Sequence, residues 1–224
     1  NSAFPLAELK SMGFLHILYR GQKSYNGVAI LSKIPLGVSH QANWCDTDDS
    51  RHIAATLPNG MELHNFYIPA GGDAPDPATN PKFAYKLNYV REITSWWKTR
   101  CDPKQNLVML GDLNIAPLEN DVWSHKQLLK VVSHTPTEVE LLRQLQESLN
   151  WIDTARHFVP KEQKLYSWWS YRNKDWRKSD RGRRLDHIWV TQPLAAKLKT
   201  YHSFIDCAIS MGMKFTKDVS NYPR

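Results

Sequence analysis

The stretch Leu107–Pro117, LVMLGDLNIAP, decides how the rest of the chain is read. Four apolar residues run into Gly111, then Asp112 and Asn114 follow two positions apart, and Pro117 stops the element. An apolar run of this length, closed by Gly and Pro, reads as a buried strand. On a strand, residues i and i+2 share a face, so Asp112 and Asn114 are expected to project together from its C-terminal end. A carboxylate can take a proton from water or hold a metal ion. A neutral amide beside it can orient an oxygen without adding repulsion. The same Gly-Asp-x-Asn pattern also suits a turn or a helix cap.

Working outward, short strands alternate with a few helices. Phe4–Phe14 predicts a short helix ending near Gly13, and His16–Gly21 and Gly27–Lys33 predict strands. The second of these is nearly all apolar, which predicts burial on both faces. His52–Pro69 reads as two strands joined through Pro58, Asn59 and Gly60, because an Asn-Gly pair supports the positive φ of a tight hairpin. Gly71–Pro81 is a loop. A helix follows over about Lys82–Thr99, with Phe83, Leu87, Val90, Ile93 and Trp97 on its apolar side and Lys82, Lys86 and Arg91 on its exposed side. Glu138–Leu149 predicts another helix, and Lys164–Trp169 and Arg184–Val190 two more strands. No internal repeat or linker is visible. The chain therefore reads as one domain over residues 1–209, with a tail over 210–224 that has no usable periodicity.

The 224 residues carry 42% hydrophobic and 23% charged side chains, the balance of an ordinary globular protein. No apolar run approaches the roughly 18 residues that span a bilayer, so no membrane partner is expected. The three cysteines, Cys45, Cys101 and Cys207, are scattered and odd in number, which points to a reducing, cytoplasmic compartment rather than a disulfide framework or a cysteine zinc site. A net charge of +7 favours a polyanionic partner.

Three further stretches carry chemistry. In RRLDHIWVT, Asp186 interrupts an apolar strand, and a buried carboxylate there needs a metal, an Arg or a His; an exposed position on an edge strand is the alternative. In HNFYIPAGG, Tyr67 ends a strand just before a loop, where a phenol can donate to a phosphate oxygen or simply close the core edge. Between Arg172 and Arg184 lie Arg172, Lys174, Arg177, Lys178, Arg181, Arg183 and Arg184 against Asp175 and Asp180, a net +5. Trp168, Trp169, Tyr171 and Trp176 are interleaved with them. Basic residues bind phosphates, and aromatic rings stack on or wedge between bases.

Taken in order, YNGVAILSK, NFYIPAGG, GDLNIAP, YSWWSYR and RGRRLDHIWV resemble the bacterial exonuclease III family, within the endonuclease/exonuclease/phosphatase superfamily. The resemblance runs from Phe4 to about Cys207. It implies a four-layered α/β sandwich, two packed and mostly antiparallel sheets flanked by helices. It also implies Mg²⁺- or Mn²⁺-dependent hydrolysis of DNA phosphodiesters: 3′→5′ exonuclease action on duplex DNA, incision at abasic sites, and cleaning of 3′ ends, by a monomer. Asp112 then resembles the Asp that orients or deprotonates the attacking water. Asn114 resembles the Asn that holds a phosphate or metal-bound oxygen. Tyr67 resembles the Tyr that contacts the scissile phosphate, and Asp186 the Asp that supports a catalytic His. Asp112 and Asn114 would be the metal-side ligands. Arg172, Lys174, Arg177, Lys178, Arg181, Trp168, Trp169 and Trp176 would meet double-stranded or abasic-site DNA, with Trp168 and its neighbours lining the pocket for an abasic sugar or frayed end.

Two features depart from the family pattern. The family opens with a strand bearing an Asn and a strand ending in Gln-Glu, whose Glu is the principal metal ligand; this sequence starts after both. The family also closes on Ser-Asp-His, where this sequence has DCAISMGMKFTKDVSNYPR and no Asp-His pair after Asp206. His187 adjoins Asp186, but using it as the missing His would flip it to the wrong face. The expectation is an N-terminally truncated sandwich with impaired cleavage, by on the order of 10⁴-fold. A DNA-binding remnant without chemistry, or a phosphatase or phospholipase of the same superfamily, are the other readings.

Overall fold

A computed structural model describes residues 4–23, 25–170 and 175–201, with backbone only at 176 and 177. Its centre is a six-stranded mixed sheet. The strands are β3 (Ser39–His40), β4 (His52–Thr56), β5 (Glu62–Tyr67), β6 (Leu107–Asp112), β7 (Ile152–Asp153) and β10 (Asp186–Val190). They lie in the order β3-β4-β5-β6-β10-β7. Neighbours run antiparallel except for β5 and β6, which are parallel. A parallel pair needs a crossover, and helix α2 (Pro81–Arg100) supplies it.

The helix begins where its sequence says it should. Asn80 caps it by accepting from the Lys82 and Phe83 amides, and Pro81 occupies the first turn, where no donor is needed. Phe83, Leu87, Val90, Ile93 and Trp97 are buried, as their spacing predicts. They pack with Phe66 of β5, Met109 of β6, Trp189 of β10 and Leu141, Leu142 and Leu145 of α4 (Pro136–Glu147) in one core. The turn between β4 and β5 uses Gly60 at φ +79, with its amide donating to Leu57.

The other face of the sheet carries a hairpin of β1 (His16–Gly21) and β2 (Gly27–Ser32), which lies against β4 and β5. Asn65 Nδ2 of β5 donates to the Ala29 carbonyl across the gap, 2.9 Å. Among the described residues β2 pairs only with β1 and is partly exposed. The expected burial on both of its faces does not hold, because a two-stranded layer can turn only one face to the sheet. Short elements complete the chain: α1 (Leu6–Ser11), α3 (His125–Leu128), α5 (Thr154–Phe158), α6 (Trp176–Ser179), and the pair β8 (Trp168–Trp169) with β9 (Gly182–Arg183). The strand expected over Lys164–Trp169 is thus only its last two residues. No described helix is long and apolar enough to cross a membrane.

Gly111 sets how closely β5 and β6 approach. It sits opposite Phe66 at φ +131, and a Cβ there would come within 1.9 Å of the Phe66 carbonyl oxygen. No side chain relieves a clash with backbone. Gly111→Ala is expected to destabilise the fold by about 3 kcal/mol or more. A denaturant titration reads this directly, and an unchanged midpoint would contradict the packing.

Candidate active site

Three of the residues singled out from the sequence fall in one row. Tyr67 is opposite Asp112 in the parallel ladder, and Asp112 is opposite Asp186 in the antiparallel one. Residues directly opposite each other project to the same face. The ends of β5, β6 and β10 therefore present a phenol and two carboxylates side by side, on the face away from the α2–α4 core. The backbone locks the row: the Ile68 amide donates to the Asp112 carbonyl and the Leu113 amide to the Leu185 carbonyl, both 2.9 Å.

Asn114 is near Asp112 but not by the strand geometry expected. β6 ends at Asp112, and Asn114 adopts a left-handed backbone at φ +53. Asn is one of the few residues that tolerates this conformation. Its amide N–H turns back to Asp112 Oδ1 at 2.9 Å, and its side-chain Nδ2 donates to the Ile68 carbonyl at 2.9 Å. The Asp–Asn pair is thus a tight turn at a strand end. The two readings of the motif, strand-end pair and turn, are both part of the answer.

Buried charges hold this turn. Lys86 was expected on the exposed side of α2; it is fully buried instead. Its ammonium donates to the Asn114 carbonyl at 2.8 Å and pairs with Glu138, also fully buried, at 2.5 Å. Burial lowers the Lys86 pKa, and Glu138 opposes that shift. Glu138 in turn accepts from the amides of Ser133 and Thr135 and the Thr135 hydroxyl. His187 lies on the opposite face from Asp186, buried, with Nε2 2.8 Å from the Ile115 carbonyl. The carbonyl can only accept, so Nε2 carries the proton. Burial pushes the His187 pKa down to about 4.

Tyr67 is held from behind. The buried Arg51 guanidinium lies 4.9 Å from its ring centre, donates to its carbonyl at 3.1 Å and donates to Asn26 Oδ1 at 3.0 Å. Arg51 also pairs with Asp49, which accepts from the Tyr85 hydroxyl at 2.6 Å. On the third strand, Arg184 fixes the approach to Asp186. It forms a bidentate pair with Asp121, both bonds 2.9 Å, and reaches Asp153 at 2.7 Å. Arg156 joins the same Asp121. The Ser167 hydroxyl oxygen accepts the Leu185 and Asp186 amides.

The carboxylates are not at rest. Burial, then the neighbouring Asp186 charge, pushes the Asp112 pKa up to about 7; its Asn114 hydrogen bonds and Lys86 act the other way. Asp186 opens to solvent, yet the protein wall around it raises its pKa too, against a hydrogen bond from Ser167. Asp186 is not on an edge strand, since β10 is flanked by β6 and β7. It occupies the exposed end of an interior strand.

The residues expected to meet nucleic acid are described in part. Lys178 and Arg181 are exposed, Arg181 stacks over Trp123 at 4.7 Å, and Trp168 is 36% exposed. Trp169 Nε1 reaches Asp180 at 3.3 Å. Arg172, Lys174, Tyr171 and the side chains of Trp176 and Arg177 lie outside the described residues, as does the tail over 210–224. Arg184, counted with the basic stretch, belongs to the buried network, and Arg183 donates to the Val132 carbonyl and Ser133 hydroxyl. The supports Lys86, Glu138, Arg51 and Asp49 escaped sequence reading. Only the Thr135–Glu138 capping box carried a local signal.

Two predictions follow from the turn and its charges. Lys86→Met leaves a buried carboxylate without its cation and should cost about 3–5 kcal/mol; adding Glu138→Gln should recover part of it in thermal unfolding. For Asp112, the folded carboxyl binds its proton more tightly than the unfolded chain does. Its contribution to stability is therefore lost as pH rises from about 4 to about 7. Without added divalent cation, Asp112→Asn should be stabilised by about 2 kcal/mol at pH 8. That gain should vanish toward pH 4, and a gain independent of pH would exclude this electrostatic origin.

With this geometry in view, comparison with known proteins is direct. The family described as Endonuclease/Exonuclease/phosphatase matches residues 2–202. An exodeoxyribonuclease III of Haemophilus influenzae is 27% identical over 233 aligned residues, covering 99% of this chain and 83% of its own. Among solved structures, an AP endonuclease from Archaeoglobus fulgidus superposes with TM-score 0.78 at 29% identity, over 88% of this chain and 74% of that one. A 3′ phosphatase from Neisseria, solved bound to a product DNA hairpin, gives TM-score 0.76 at 32% identity over the same shares. A sheet flanked by helices is shared with these structures, and the chain belongs to the endonuclease/exonuclease/phosphatase family.

Proposed function

We propose that this protein is a DNA-repair nuclease of exonuclease III type, hydrolysing phosphodiester bonds in duplex and abasic-site DNA with a divalent metal ion. The observation that carries the reading is the single row Tyr67–Asp112–Asp186 beside an exposed basic and aromatic rim. The names of the relatives, an exodeoxyribonuclease III, an AP endonuclease and a 3′ phosphatase on DNA, support the substrate class.

Asp112, at the end of β6 in the row, is placed to orient the attacking water and take its proton. Its Oδ1 accepts the Asn114 amide, which fixes the carboxylate plane. Tyr67 offers its hydroxyl to a non-bridging phosphate oxygen, and Arg51 keeps the ring in place. Two adjacent carboxylates whose like charge raises the pKa of one are a fitting donor set for a hard cation such as Mg²⁺ or Mn²⁺. Asp112 and Asp186, with Asn114 beside them, would hold it. When bound, the ion polarises the phosphoryl oxygens and offsets the developing charge. Lys178, Arg181 and Trp168 grip the strand backbone and stack on bases.

One observation favours a second reading, DNA binding without cleavage. Among the described residues no third His, Cys, Asp or Glu converges on Asp112 and Asp186 to form a three-ligand cluster.

Incubating the full chain with an abasic-site duplex and Mg²⁺ separates the two. The nuclease reading expects cation-dependent incision, reduced at least about 10²-fold in Asp112→Asn with DNA affinity intact. Salt-dependent binding with no incision at any Mg²⁺ or Mn²⁺ concentration favours the second reading. Replacing Lys178 and Arg181 together by Ala should weaken binding across all sequences and flatten its salt dependence; unchanged affinity removes this loop from the interface.

A further inference from the structure

The opposite face of β5, at its other end, carries a group that phosphoester chemistry does not use. Among the described residues, one set of three potential metal ligands converges: His40, Glu62 and His64, whose ligand atoms all lie within 4.8 Å of one another. His40 on β3 and His64 on β5 are both opposite Ala54 of β4, so the two imidazoles flank one small residue on the same sheet face. Glu62 is two residues before His64 and shares that face. Its Oε1 is 3.5 Å from His40 Nδ1 and 3.4 Å from His64 Nε2.

The buried member makes this more than a surface cluster. His64 has no solvent exposure, and its Nε2 has no hydrogen bond of acceptable geometry. That atom is aimed at the Glu62 carboxylate. Its other nitrogen is engaged: Nδ1 is 3.1 Å from His52 Nε2, and His52 Nδ1 accepts the Ala42 amide at 3.0 Å. A buried imidazole oriented through one nitrogen, with the other facing a carboxylate and a second imidazole, is the arrangement in which proteins hold zinc. We infer that His40, Glu62 and His64 form a binding site for a divalent transition-metal ion of the zinc class, separate from the carboxylate row.

The distances support it. Two donors about 2.0–2.1 Å from a tetrahedral zinc are about 3.3 Å apart. Both contacts of Glu62 with the imidazoles are already near that value. The His40–His64 separation is at most 4.8 Å, so little movement brings all three donors to one ion. His40 is on a two-residue edge strand and is partly exposed, so it is the member free to adjust. Two imidazoles and one carboxylate suit zinc better than magnesium, which prefers oxygen alone.

Protons balance within the pair of buried histidines. With Ala42 donating to His52 Nδ1, His52 is protonated at Nε2 and donates to His64 Nδ1, which places the His64 proton on Nε2. An ion at that Nε2 requires the His64 proton at Nδ1, donated to His52 Nε2, and the His52 proton at Nδ1. No proton is lost, but the Ala42 amide must give up its hydrogen bond. Ala42 is two residues from His40, so this rearrangement and the closing of His40 fall on the same segment. The ion would tie edge strand β3 to β5 across β4.

The test uses the full chain after chelator treatment, titrated with Zn²⁺ by calorimetry and with Co²⁺ by visible absorption. Expected are one ion per chain at this site, tetrahedral Co²⁺ bands, and a higher thermal midpoint with Zn²⁺. His40→Gln and Glu62→Gln change partly exposed residues and should leave the apo fold intact. Each should weaken binding by about 100-fold or more, beyond the loss typical of an outer partner. Asp112→Asn should bind Zn²⁺ at this site as the parent does. Absence of Zn²⁺ binding, unchanged affinity in both His40→Gln and Glu62→Gln, or loss of the site in Asp112→Asn would each overturn the assignment.

Discussion

The structure depends on how closely β5 and β6 run. They are the one parallel pair in the main sheet, and Gly111 lets the β6 backbone come against the Phe66 carbonyl where no Cβ fits. That approach sets the register Phe66–Gly111 and therefore Tyr67–Asp112 one residue on. β10 then pairs Asp186 with Asp112 on the other side. A slip of one residue on either side would send a carboxylate to the opposite face. The row is consequently a property of backbone pairing, fixed before any side chain is placed.

Placing two carboxylates in neighbouring positions costs stability, and the surrounding charges show how the fold bears that cost. Lys86 brings a cation beneath the Asp112–Asn114 turn and is itself neutralised by Glu138. Arg184 and Arg156 neutralise Asp121, and Arg184 also pairs with Asp153. Arg51 does the same for Asp49 behind Tyr67. Lys86 and Arg51 each touch both a buried carboxylate and the backbone of a site segment, and Arg184 is held by two buried carboxylates, so none of the three is free to turn toward a ligand. Lys178 and Arg181, by contrast, are exposed and available to a polyanion.

The sequence was legible where a signal is local and periodic. The apolar spacing of α2, the Asn-Gly turn between β4 and β5, and the strand at Leu107 carry their structure in a few adjacent residues. The five motifs in order identified the family, and with it Tyr67, Asp112, Asn114 and Asp186 as residues to watch. What resisted reading is long-range. Lys86 occupies a helix position that charge alone assigns to solvent, and only Glu138, 52 residues later, makes its burial tolerable. The departure of Asn114 from the strand is a single dihedral change that the Gly-Asp-x-Asn pattern permits but does not dictate. The exposure of β2 was misread because an apolar run does not reveal how many strands will cover it.

The two-residue period of β5 accounts for a further property. Leu63, Asn65 and Tyr67 face the β1–β2 hairpin side, where Tyr67 stands in a row with Asp112 and Asp186. Glu62, His64 and Phe66 face the helices, where Phe66 joins the main core. Tyr67 on one face and Glu62 on the other stand at opposite ends of the strand, roughly 17 Å apart along it. At such a distance and through a packed sheet, charge at one end has little direct effect on the other. The oxygen-only set on one face favours hard cations, while the imidazole-bearing set on the other favours softer ones. Strand β5 thus contributes Tyr67 to one group and Glu62 and His64 to the other, alternation separating their faces and length separating Tyr67 from Glu62.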